Sequence, residues 1–391
     1  MGSLADVVVV GGGVIGCACA YALASRGTRV VVVERSELAA GASGRNHGLL
    51  LSLPDVSLAA LGGRSAAVYD ELAGQTPVDI RLDPEPVGFL IVAGEDEREH
   101  RAGRMEAEAV AAFGVAVEFL DGDGAREAEP ALGPEVAEAW LLHDGRRLDP
   151  TALTVSLALL ARDRGAEIRR YVTARSLVVT GDRVRGVVTD EGTIGADAVV
   201  VAAGPWTPSF VRPTGVEVAV EGARGWLVHL GEPPVLPRFL LEGAGWHVLA
   251  GDEAAPATRA AHLDQGFPVP DVGTLLHPTP DRTVLAGGSR QPVVAPEPED
   301  PSVAREIVHQ ATRWIPGLAE ARVLGAWWGI RPMSPDGLPL IGPVREGLHV
   351  VTGHGPYGVI LAAGTGELAT SLVLGEEPFT DPKPFDPLRF G

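Results

Sequence analysis

Three glycines near the N-terminus, Gly11, Gly13 and Gly16, constrain the fold of this chain more than any other feature. They follow an apolar run that ends at Val10 and precede an alanine-rich segment that ends before Gly27. A buried parallel strand, a tight turn and a helix in this order begin a dinucleotide-binding βαβ unit. There the first glycine allows the turn, the second lets the backbone approach a pyrophosphate, and the third lets helix and strand pack closely.

An acidic residue stands where such a unit needs one. A second apolar run, residues 29–33, ends in Glu34, close to the expected distance from Gly11. A carboxylate at this place accepts hydrogen bonds from the adenosine ribose, and the helix N-terminus offers free N–H groups to the phosphates. The strand, turn, helix and carboxylate together predict a bound dinucleotide.

Length and charge restrict the class of protein. With 391 residues the chain is longer than one ordinary core, so we expect two domains. The formal net charge is −19 and no basic stripe occurs, which argues against nucleic acid and anionic membranes as partners. Lys383 is the only lysine, so lysine-nucleophile or Schiff-base chemistry is excluded everywhere except at the C-terminus.

The two cysteines, Cys17 and Cys19, are two positions apart on the predicted helix and point in different directions. A disulfide between them is therefore not expected, and a cytoplasmic location is predicted. Val7–Leu23 is apolar enough to suggest a membrane segment, but it has no basic residues before it and contains the glycine turn. We predict a soluble protein with no integral membrane segment. No histidine or cysteine spacing suggests a metal site.

A second glycine pattern, Gly353, Gly355 and Gly358, also lies between an apolar run and a predicted helix. Taken alone it could mark a separate NAD(P) site. No strand with a terminal acidic residue follows it, because the chain soon reaches Pro378 and a proline-rich tail. We therefore interpret it as a turn that presents a second helix N-terminus to the same cofactor.

A third segment, Trp328–Gly342, contains Arg331. This arginine follows the tryptophan pair Trp327 and Trp328 and precedes a proline-rich loop. An arginine held in this way is suited to bind a carboxylate with two parallel hydrogen bonds. The alternative is a structural ion pair between Arg331 and Asp336.

These segments together resemble the FAD-dependent D-amino-acid oxidase superfamily, particularly the branch of glycine oxidases, sarcosine oxidases and D-amino-acid dehydrogenases. The resemblance runs over nearly the whole chain. It is carried by Asp6–Glu34, Gly41–Leu50, Leu148–Pro150, Ala196–Trp206, Trp328–Gly342, Gly353–Gly366 and Pro387–Phe390.

The resemblance implies an α/β fold. A Rossmann-like FAD-binding domain of the glutathione-reductase type would comprise residues 1–85, 146–215 and 326–391. A discontinuous antiparallel-sheet substrate domain would comprise residues 86–145 and 216–325.

The resemblance also implies which residues form the site. Arg331 would hold the substrate α-carboxylate. Beside the resemblance, we predict Tyr357 as a second catalytic residue, and Tyr357, Trp246 and His247 as residues that shape the pocket. The predicted FAD contacts are Gly11, Gly13, Val14, Ile15, Gly16, Glu34, Arg35, Ala42, Ser43, His47, Gly48, Leu49, Ala174, Gly204, Trp206, Gly355, Pro356, Tyr357, Gly358, Val359 and Ile360. For His47 and for His354 in the second turn, the alternative is a polar side chain satisfied beside a glycine loop.

Departures from related enzymes matter as well. Covalent flavin attachment in relatives uses positions that match neither His47 nor His354, so we expect non-covalent FAD. Pro356 and Leu275 stand where glycine oxidases place an arginine and a tyrosine. The lysine that speeds the oxygen reaction of sarcosine oxidases has no counterpart. These differences argue against glycine as the substrate and against a fast oxidase.

The predicted function is FAD-dependent oxidation of an amine or amino acid at the carbon that bears nitrogen. Hydride transfer to flavin N5 would give an imine, which water hydrolyses. The substrate would be a small molecule with a carboxylate, and the electron acceptor would be oxygen or a quinone. Residues 251–273 would form a lid or active-site loop. Two alternatives stay open, namely a partner-dependent or non-catalytic flavoprotein subunit and an NAD(P)H-dependent flavin hydroxylase.

Overall fold

The computed structural model describes residues 4–244, 271–293 and 301–391. In these residues the strands form two large sheets and one short ladder. The first sheet contains β1 (Leu4–Val10), β2 (Val30–Glu34), β8 (Glu167–Arg170), β9 (Ala174–Thr180), β10 (Arg183–Thr189), β11 (Gly192–Val201), β17 (Leu340–Arg345) and β18 (Leu348–Thr352). The second sheet contains β4 (Phe89–Ala93), β5 (Val117–Asp121), β6 (Glu138–Leu142), β12 (Glu221–Gly231), β13 (Leu240–Gly243), β14 (Asp271–Pro278), β15 (Thr283–Pro292) and β16 (Arg322–Met333).

The short ladder and the helices complete the described fold. Strands β3 (Leu49–Leu50) and β7 (Arg146–Arg147) pair with each other in antiparallel fashion. The α-helices are α1 (Val14–Ser25), α2 (Val56–Leu72), α3 (Glu97–Ala111), α4 (Gly122–Ala128), α5 (Pro150–Asp163), α6 (Thr207–Val211), α7 (Ser302–Trp314) and α8 (Gly358–Leu374).

The centre of the first sheet, Val7–Val10 of β1 and Val30–Val33 of β2, is buried on both faces, as these valine runs predict. Its strand order is β17-β18-β11-β1-β2-β8, and β1 runs parallel to both β11 and β2. Because alternate side chains of a strand point to opposite faces, Val7 and Val9 pack among α1, α5 and α8, whereas Val8 and Val10 pack on the side of the β9–β10 hairpin. The glycine turn after β1 therefore starts from a rigid, fully enclosed strand.

The second sheet is mostly antiparallel, in the order β16-β12-β15-β14-β13-β4-β6-β5. One face packs against α7, where Val303, Ile307, Ala311 and Trp314 are buried. The other face turns toward the first sheet. A sheet with one face in its own core leaves the opposite face available to bind a ligand.

The predicted domain boundary at residue 326 divides strand β16, which pairs with β12 along its length. Residues 326–333 therefore pair within the second sheet, on the other side of the predicted boundary from where the sequence analysis placed them. The prediction took Pro332 as part of a loop. Strand β16 lies at the edge of the sheet, where a proline lacking an N–H group is tolerated. The division into two domains itself stays a prediction.

Candidate active site

A cavity of about 900 Å³ lies between the glycine turn of the first sheet and the exposed face of the second. Its size is typical of a site for a cofactor and a small substrate. The structure brings nearly all the predicted site residues to it. The predicted residues that line it are Gly11, Gly13, Val14, Ile15, Glu34, Arg35, Ala42, Ser43, His47, Gly48, Leu49, Ala174, Gly204, Trp206, Arg331, Gly355, Pro356, Tyr357, Gly358, Val359 and Ile360.

Gly16 is the predicted site residue that does not line the cavity. A Cβ atom at this position would lie 2.0 Å from the carbonyl oxygen of Gly11, so only glycine lets α1 pack this closely on the turn. Gly11 itself has φ +114°, a conformation that side chains rarely adopt. These two glycines shape the turn, while Gly13 and the first residues of α1 face the cavity.

The start of α1 fits an anionic cofactor. Helix α1 has no side-chain cap, and the cavity borders its first residues, Gly13, Val14 and Ile15. The Val14 N–H donates to Ser43 Oγ at 2.9 Å, which ties the following loop to the helix start. Unpaired N–H groups and the helix dipole at this end favour phosphate oxygens.

Glu34 lies at the end of β2, where the sequence places the ribose-binding carboxylate. Its Oε2 accepts the Gly12 N–H at 2.7 Å and its Oε1 accepts the Ser36 N–H at 2.9 Å. The next residue, Arg35, lies 4.2 Å from the centre of the Trp206 ring and marks one end of the cavity. The carboxylate is thus held in a fixed orientation on the cavity side of the turn.

The second glycine turn opens on the same cavity. Strand β18 lies parallel to β11, and α8 begins at Gly358 after a short 3₁₀ turn. Thr352 Oγ1 donates to the Gly204 carbonyl oxygen at 3.0 Å, which joins this turn to the end of β11. From residue 375 to the C-terminus, all of it described, no further strand follows. A separate NAD(P) site would need a further strand after α8. Its absence from these residues supports one cofactor shared by both glycine turns.

His354, in this second turn, is a buried neutral residue. Its Nε2 lies 3.1 Å from Thr365 Oγ1, and burial lowers its pKa to about 3. The imidazole is thus enclosed beside α8 and is paired with a hydroxyl group. Its Nδ1 is also buried and has no hydrogen-bond partner among the described residues, so only one of the two ring nitrogens is satisfied beside the glycine loop.

His47 lines the cavity and belongs to a second group of buried histidines. Burial holds the pKa of His47 well below its usual range, with contributions from His277 and Arg331. Its Nδ1 is enclosed and has no hydrogen-bond partner within the described part of the chain. His277 Nδ1 donates to the His47 carbonyl oxygen at 2.6 Å, and burial lowers the pKa of His277 to about 4.

Arg331 projects from strand β16 into the cavity, instead of from the loop that the sequence suggested. Its Nη1 donates to the Ser289 carbonyl oxygen at 2.9 Å. Gly225 on the paired strand β12 leaves the space for it, because a Cβ atom there would lie 2.0 Å from Arg331 Nη1. Burial and the nearby Arg290 lower the pKa of Arg331 to about 10, so the guanidinium stays charged at neutral pH.

The alternative role for Arg331, an ion pair with Asp336, is wrong. Asp336 instead receives two hydrogen bonds from Arg389, both at 2.8 Å, near the C-terminus. The guanidinium that lies above the Trp328 ring is that of Arg224, at 4.9 Å from the ring centre. Arg331 is therefore directed to the cavity and forms no ion pair with Asp336.

The sequence reasoning missed several residues of the substrate wall. Arg290, Glu242 and His277 lie on three strands of the second sheet, and the first two line the cavity. Phe89 and Leu227 add apolar surface to the same wall. No local motif marks these positions, because the sheet assembles them from distant parts of the chain.

Two sequence predictions fall outside the structural description. Trp246 and His247, expected to shape the pocket, are not among the described residues. Of residues 251–273, only the last three are described, and they begin strand β14. The predicted lid therefore stays a prediction.

Both cysteines are unpaired and buried in α1. Burial raises the pKa of the Cys19 thiol to about 12, so neither a disulfide nor a thiolate is present there. Within residues 4–244, 271–293 and 301–391, no group of three or more His, Cys, Asp or Glu side chains could hold a metal ion. One described helical segment, Gly355–Leu374, has the length and apolar composition of a membrane span, and 67% of its apolar window is buried inside the fold.

Comparisons with known proteins agree with this geometry. Residues 6–372 match the sequence profile of the DAO family, which is described as FAD dependent oxidoreductase. The chain is 31% identical to a glycine oxidase of Pseudomonas putida, over 98% of both chains. It is 27% identical to a D-amino acid dehydrogenase of Rhizobium johnstonii, over 88% of this chain and 75% of that protein. A crystal structure of glycine oxidase from Geobacillus kaustophilus superposes over the full length of both chains, with a TM-score of 0.83 and 27% identity.

These matches confirm the resemblance, the α/β fold with its Rossmann-type domain, and FAD as the cofactor. They span the glycine turn, the second sheet and the C-terminal turn. The individual FAD contacts and the non-covalent attachment stay predictions. Because the family profile matches most of the chain and the relatives share this family, the chain belongs to the FAD-dependent D-amino-acid oxidase superfamily of oxidoreductases.

Proposed function

We propose that the chain oxidises an amine or amino acid at the carbon that bears the nitrogen, and that Arg331 binds the carboxylate of the substrate. The proposal rests on the position of Arg331, whose charged and buried guanidinium lies on the cavity wall that faces the glycine turn. FAD, when bound, supplies the two-electron oxidant that accepts a hydride from this carbon. The imine product is then hydrolysed to a keto acid or aldehyde.

The cavity residues fit FAD on the side of the first sheet. The open start of α1 would hold the pyrophosphate, and Glu34 would accept hydrogen bonds from the ribose. The start of α8, including Gly358 and Val359, would place positive dipole near the flavin ring. Tyr357, which lines the cavity at this helix start, would help to shape the substrate pocket.

Arg331 would orient the substrate. A guanidinium can hold a carboxylate through two parallel hydrogen bonds, which fixes both position and rotation. The hydrogen bond from Nη1 to the Ser289 carbonyl oxygen restrains the guanidinium before the substrate arrives. A restrained clamp lowers the entropy cost of reaching a reactive geometry.

The remaining wall would control water and charge. Phe89, Leu227 and Leu275 line the cavity from the second sheet and limit access of water to the reacting carbon. Burial keeps His47 and His277 neutral at pH 7, so they add no positive charge that would oppose an ammonium group. We further propose that oxygen or a quinone accepts the electrons and that the enzyme acts in the cytoplasm.

The experiment is anaerobic mixing of the purified flavoprotein with D-, L- and N-methyl amino acids and with amines that lack a carboxylate. Loss of the visible absorption of oxidised flavin reports reduction. In an Arg331→Ala variant, we expect reduction by carboxylate substrates to fall about 100-fold in kcat/KM, because a charge-assisted contact of about 3 kcal/mol is lost. Reduction by amines without a carboxylate should stay near the wild-type rate.

Arg322→Ala is the matched control, since Arg322 lies on the same strand with 69% of its side chain exposed. It should leave every rate unchanged. Wild-type affinity for carboxylate substrates in the Arg331→Ala variant would show that the substrate lies elsewhere. Flavin reduction by NADPH without any amine, or only after a partner subunit is added, would favour one of the two alternative functions.

A further inference from the structure

Helices α2 and α8 are joined by two buried hydroxyl groups in the apolar core that they share. Ser65 and Tyr69 lie one turn apart on α2, and neither side chain is exposed to solvent. Tyr69 Oη donates to the Val359 carbonyl oxygen at 2.7 Å. Ser65 Oγ accepts the Gly364 N–H at 2.9 Å. Helix α2 therefore contributes two side-chain hydrogen bonds to the backbone of α8.

The two helices are in close contact where these bonds form. A Cβ atom at Gly364 would lie 2.3 Å from the Leu61 carbonyl oxygen, so only glycine allows this approach. The same carbonyl oxygen accepts a hydrogen bond from Ser65 Oγ at 2.9 Å. Because this crossing fixes α2 against α8, the phenol of Tyr69 is held at the first turn of α8 and cannot turn toward solvent.

Tyr69 adds a hydrogen bond that the helix does not require. In a regular α-helix the Val359 carbonyl oxygen also accepts the Ala363 N–H. Burial raises the pKa of Tyr69, and hydrogen bonds to its oxygen from the Ala363 N–H, Ser65 and the Ala362 N–H oppose this rise. The phenol is therefore a neutral donor at pH 7, inserted beside the first hydrogen bonds of α8.

The carbonyl group that Tyr69 contacts belongs to a peptide group on the cavity wall. The Val359 carbonyl and the Ile360 N–H are the two ends of that peptide group, and both residues line the cavity. Ile360 is the third residue of α8, so its N–H has no acceptor within the helix and points toward the helix start. A donor on the carbonyl oxygen polarises the peptide group, which makes its N–H a stronger donor in turn.

The hydrogen bond from Ser65 lies farther from the cavity. Its partner Gly364 is the seventh residue of α8 and is not among the residues that line the cavity. Ser65 therefore anchors the helix, whereas Tyr69 acts on the turn that faces the cofactor space. The two hydroxyl groups differ in this respect although both are buried in the same helix contact.

We infer that Tyr69 is a positioning residue for the flavin, because its hydroxyl group orients and polarises the peptide group between Val359 and Ile360. The inference rests on the proposed placement of the flavin at the start of α8. The oxidised flavin ring is neutral, whereas the two-electron reduced ring carries negative charge at neutral pH. A stronger Ile360 N–H donor stabilises the reduced ring more than the oxidised one. Tyr69 itself touches neither substrate nor cofactor and acts through the backbone of α8.

The reduction potential of the bound FAD tests this inference without any substrate. The FAD-loaded protein is reduced stepwise together with a reference dye of known potential, and the absorption spectra give the ratio of reduced to oxidised flavin. In Tyr69→Phe, which removes one oxygen atom and leaves the Val359 carbonyl its helical partner, we expect this ratio to fall about fivefold at a given potential. The ratio of FAD to protein should stay at the wild-type level. An unchanged potential would overturn the inference.

Ser65→Ala is the matched control, because it removes the other hydroxyl group of the same helix contact while Tyr69 keeps its bond to Val359. This variant should lower the thermal midpoint and leave the potential unchanged. Tyr171→Phe removes the same oxygen atom from a tyrosine that is 61% exposed, and it should change neither quantity. Equal shifts of the potential in Ser65→Ala and Tyr69→Phe would show that looser packing of the helices changes the flavin, which contradicts the inference.

A graded replacement separates polarisation from packing and decides the matter if Tyr69→Phe does not bind FAD. 3-Fluorotyrosine in place of Tyr69 keeps the hydroxyl group and makes it more acidic, hence a stronger donor. The flavin should then be as easy to reduce as in the wild-type protein or easier. A flavin that is harder to reduce would reject the inference. Because no amine takes part in these measurements, that result would leave the proposed function standing, and failure of the amine panel would leave the role of Tyr69 standing.

Discussion

The glycine turn on the first sheet and the substrate wall on the second sheet face one cavity but are built in different ways. The turn is made of backbone from one continuous stretch, residues 11–16, and its shape depends on atoms that are missing from glycine. The wall is made of side chains from β4, β12, β13, β14, β15 and β16, which are distant in sequence.

The difference teaches how each region can fail. At Gly11 and Gly16 the turn tolerates no added atom, because the nearest neighbours are backbone atoms that cannot move aside. A wall of long side chains can adjust by rotamer changes, so a single substitution there changes selectivity before it changes the fold. The following predictions test this contrast, from the largest expected effect to the smallest.

Gly16→Ala should give the largest loss. The added methyl group would lie 2.0 Å from the Gly11 carbonyl oxygen, and neither β1 nor α1 can shift without disturbing a fully buried core. We expect at least a 100-fold weaker affinity for FAD or failure to fold. The ratio of flavin to protein absorbance in the purified protein, together with the thermal midpoint, measures this effect.

Gly63→Ala is the control for that change. Gly63 lies on the exposed side of α2 with no atom within 4 Å of an added Cβ. This variant should keep its FAD and gain up to about 1 kcal/mol of stability from helix propensity. If Gly16→Ala bound FAD as well as Gly63→Ala, the rigid packing attributed to the turn would be refuted.

Acid should destabilise both regions through their buried histidines. Burial lowers the pKa of His277, on the second sheet, to about 4 and that of His354, beside the first sheet, to about 3. The unfolded chain takes up these protons near pH 6.5, whereas the folded chain does not. Stability is therefore complete above pH 6.5 and is lost as pH falls toward 4, with each histidine costing roughly 2 kcal/mol at pH 5.

Urea unfolding at pH 7 and pH 5 measures this loss. His277→Gln and His354→Gln should each make the free energy of unfolding less sensitive to pH than it is in the wild-type protein. A change confined to one of the two variants would show that the regions differ in their contribution to acid stability. An unchanged pH dependence in both would contradict the role given to these histidines.

Gly225→Ala should have the smallest effect of the three and should spare the cofactor. The new methyl group would meet Arg331 Nη1, the end of a long side chain that can move away. We expect kcat/KM for carboxylate substrates to fall about tenfold, near 1.4 kcal/mol, with FAD content unchanged. Gly325→Ala on β16, where nothing lies within 4 Å of an added Cβ, is the matched control. Loss of FAD in Gly225→Ala would mean that the wall is as rigid as the turn.

The same contrast explains what could be predicted from the sequence. The turn, Glu34 and the second turn at 353–358 are local patterns whose chemistry follows from their order along the chain. The structure brings all the predicted cofactor contacts except Gly16 to one cavity. The profile match and the relatives confirm the superfamily, the fold class and FAD.

The residues of the substrate wall were harder to predict, because the pairing register of the strands in the second sheet decides which side chains face the cavity. Arg331 was predicted as a site residue and lines the cavity, but the prolines around it suggested a loop, whereas edge-strand pairing places it opposite Ala223. Arg290 has no neighbouring motif, and it reaches the cavity wall only because β15 and β16 both pair with β12. Asp336 pairs with Arg389, which lies 53 residues further along the chain, and no local pattern indicates this pairing.

The position of α8 has a consequence for the order of folding and cofactor capture. This helix is far from α1 in sequence, yet it packs directly on α1 and α2 and completes the cavity with Gly358, Val359 and Ile360. A chain in which α8 has not yet docked has its glycine turn but only part of the binding surface. We therefore expect tight FAD binding only after this long-range packing has formed, so that the bound flavin reports completed tertiary folding.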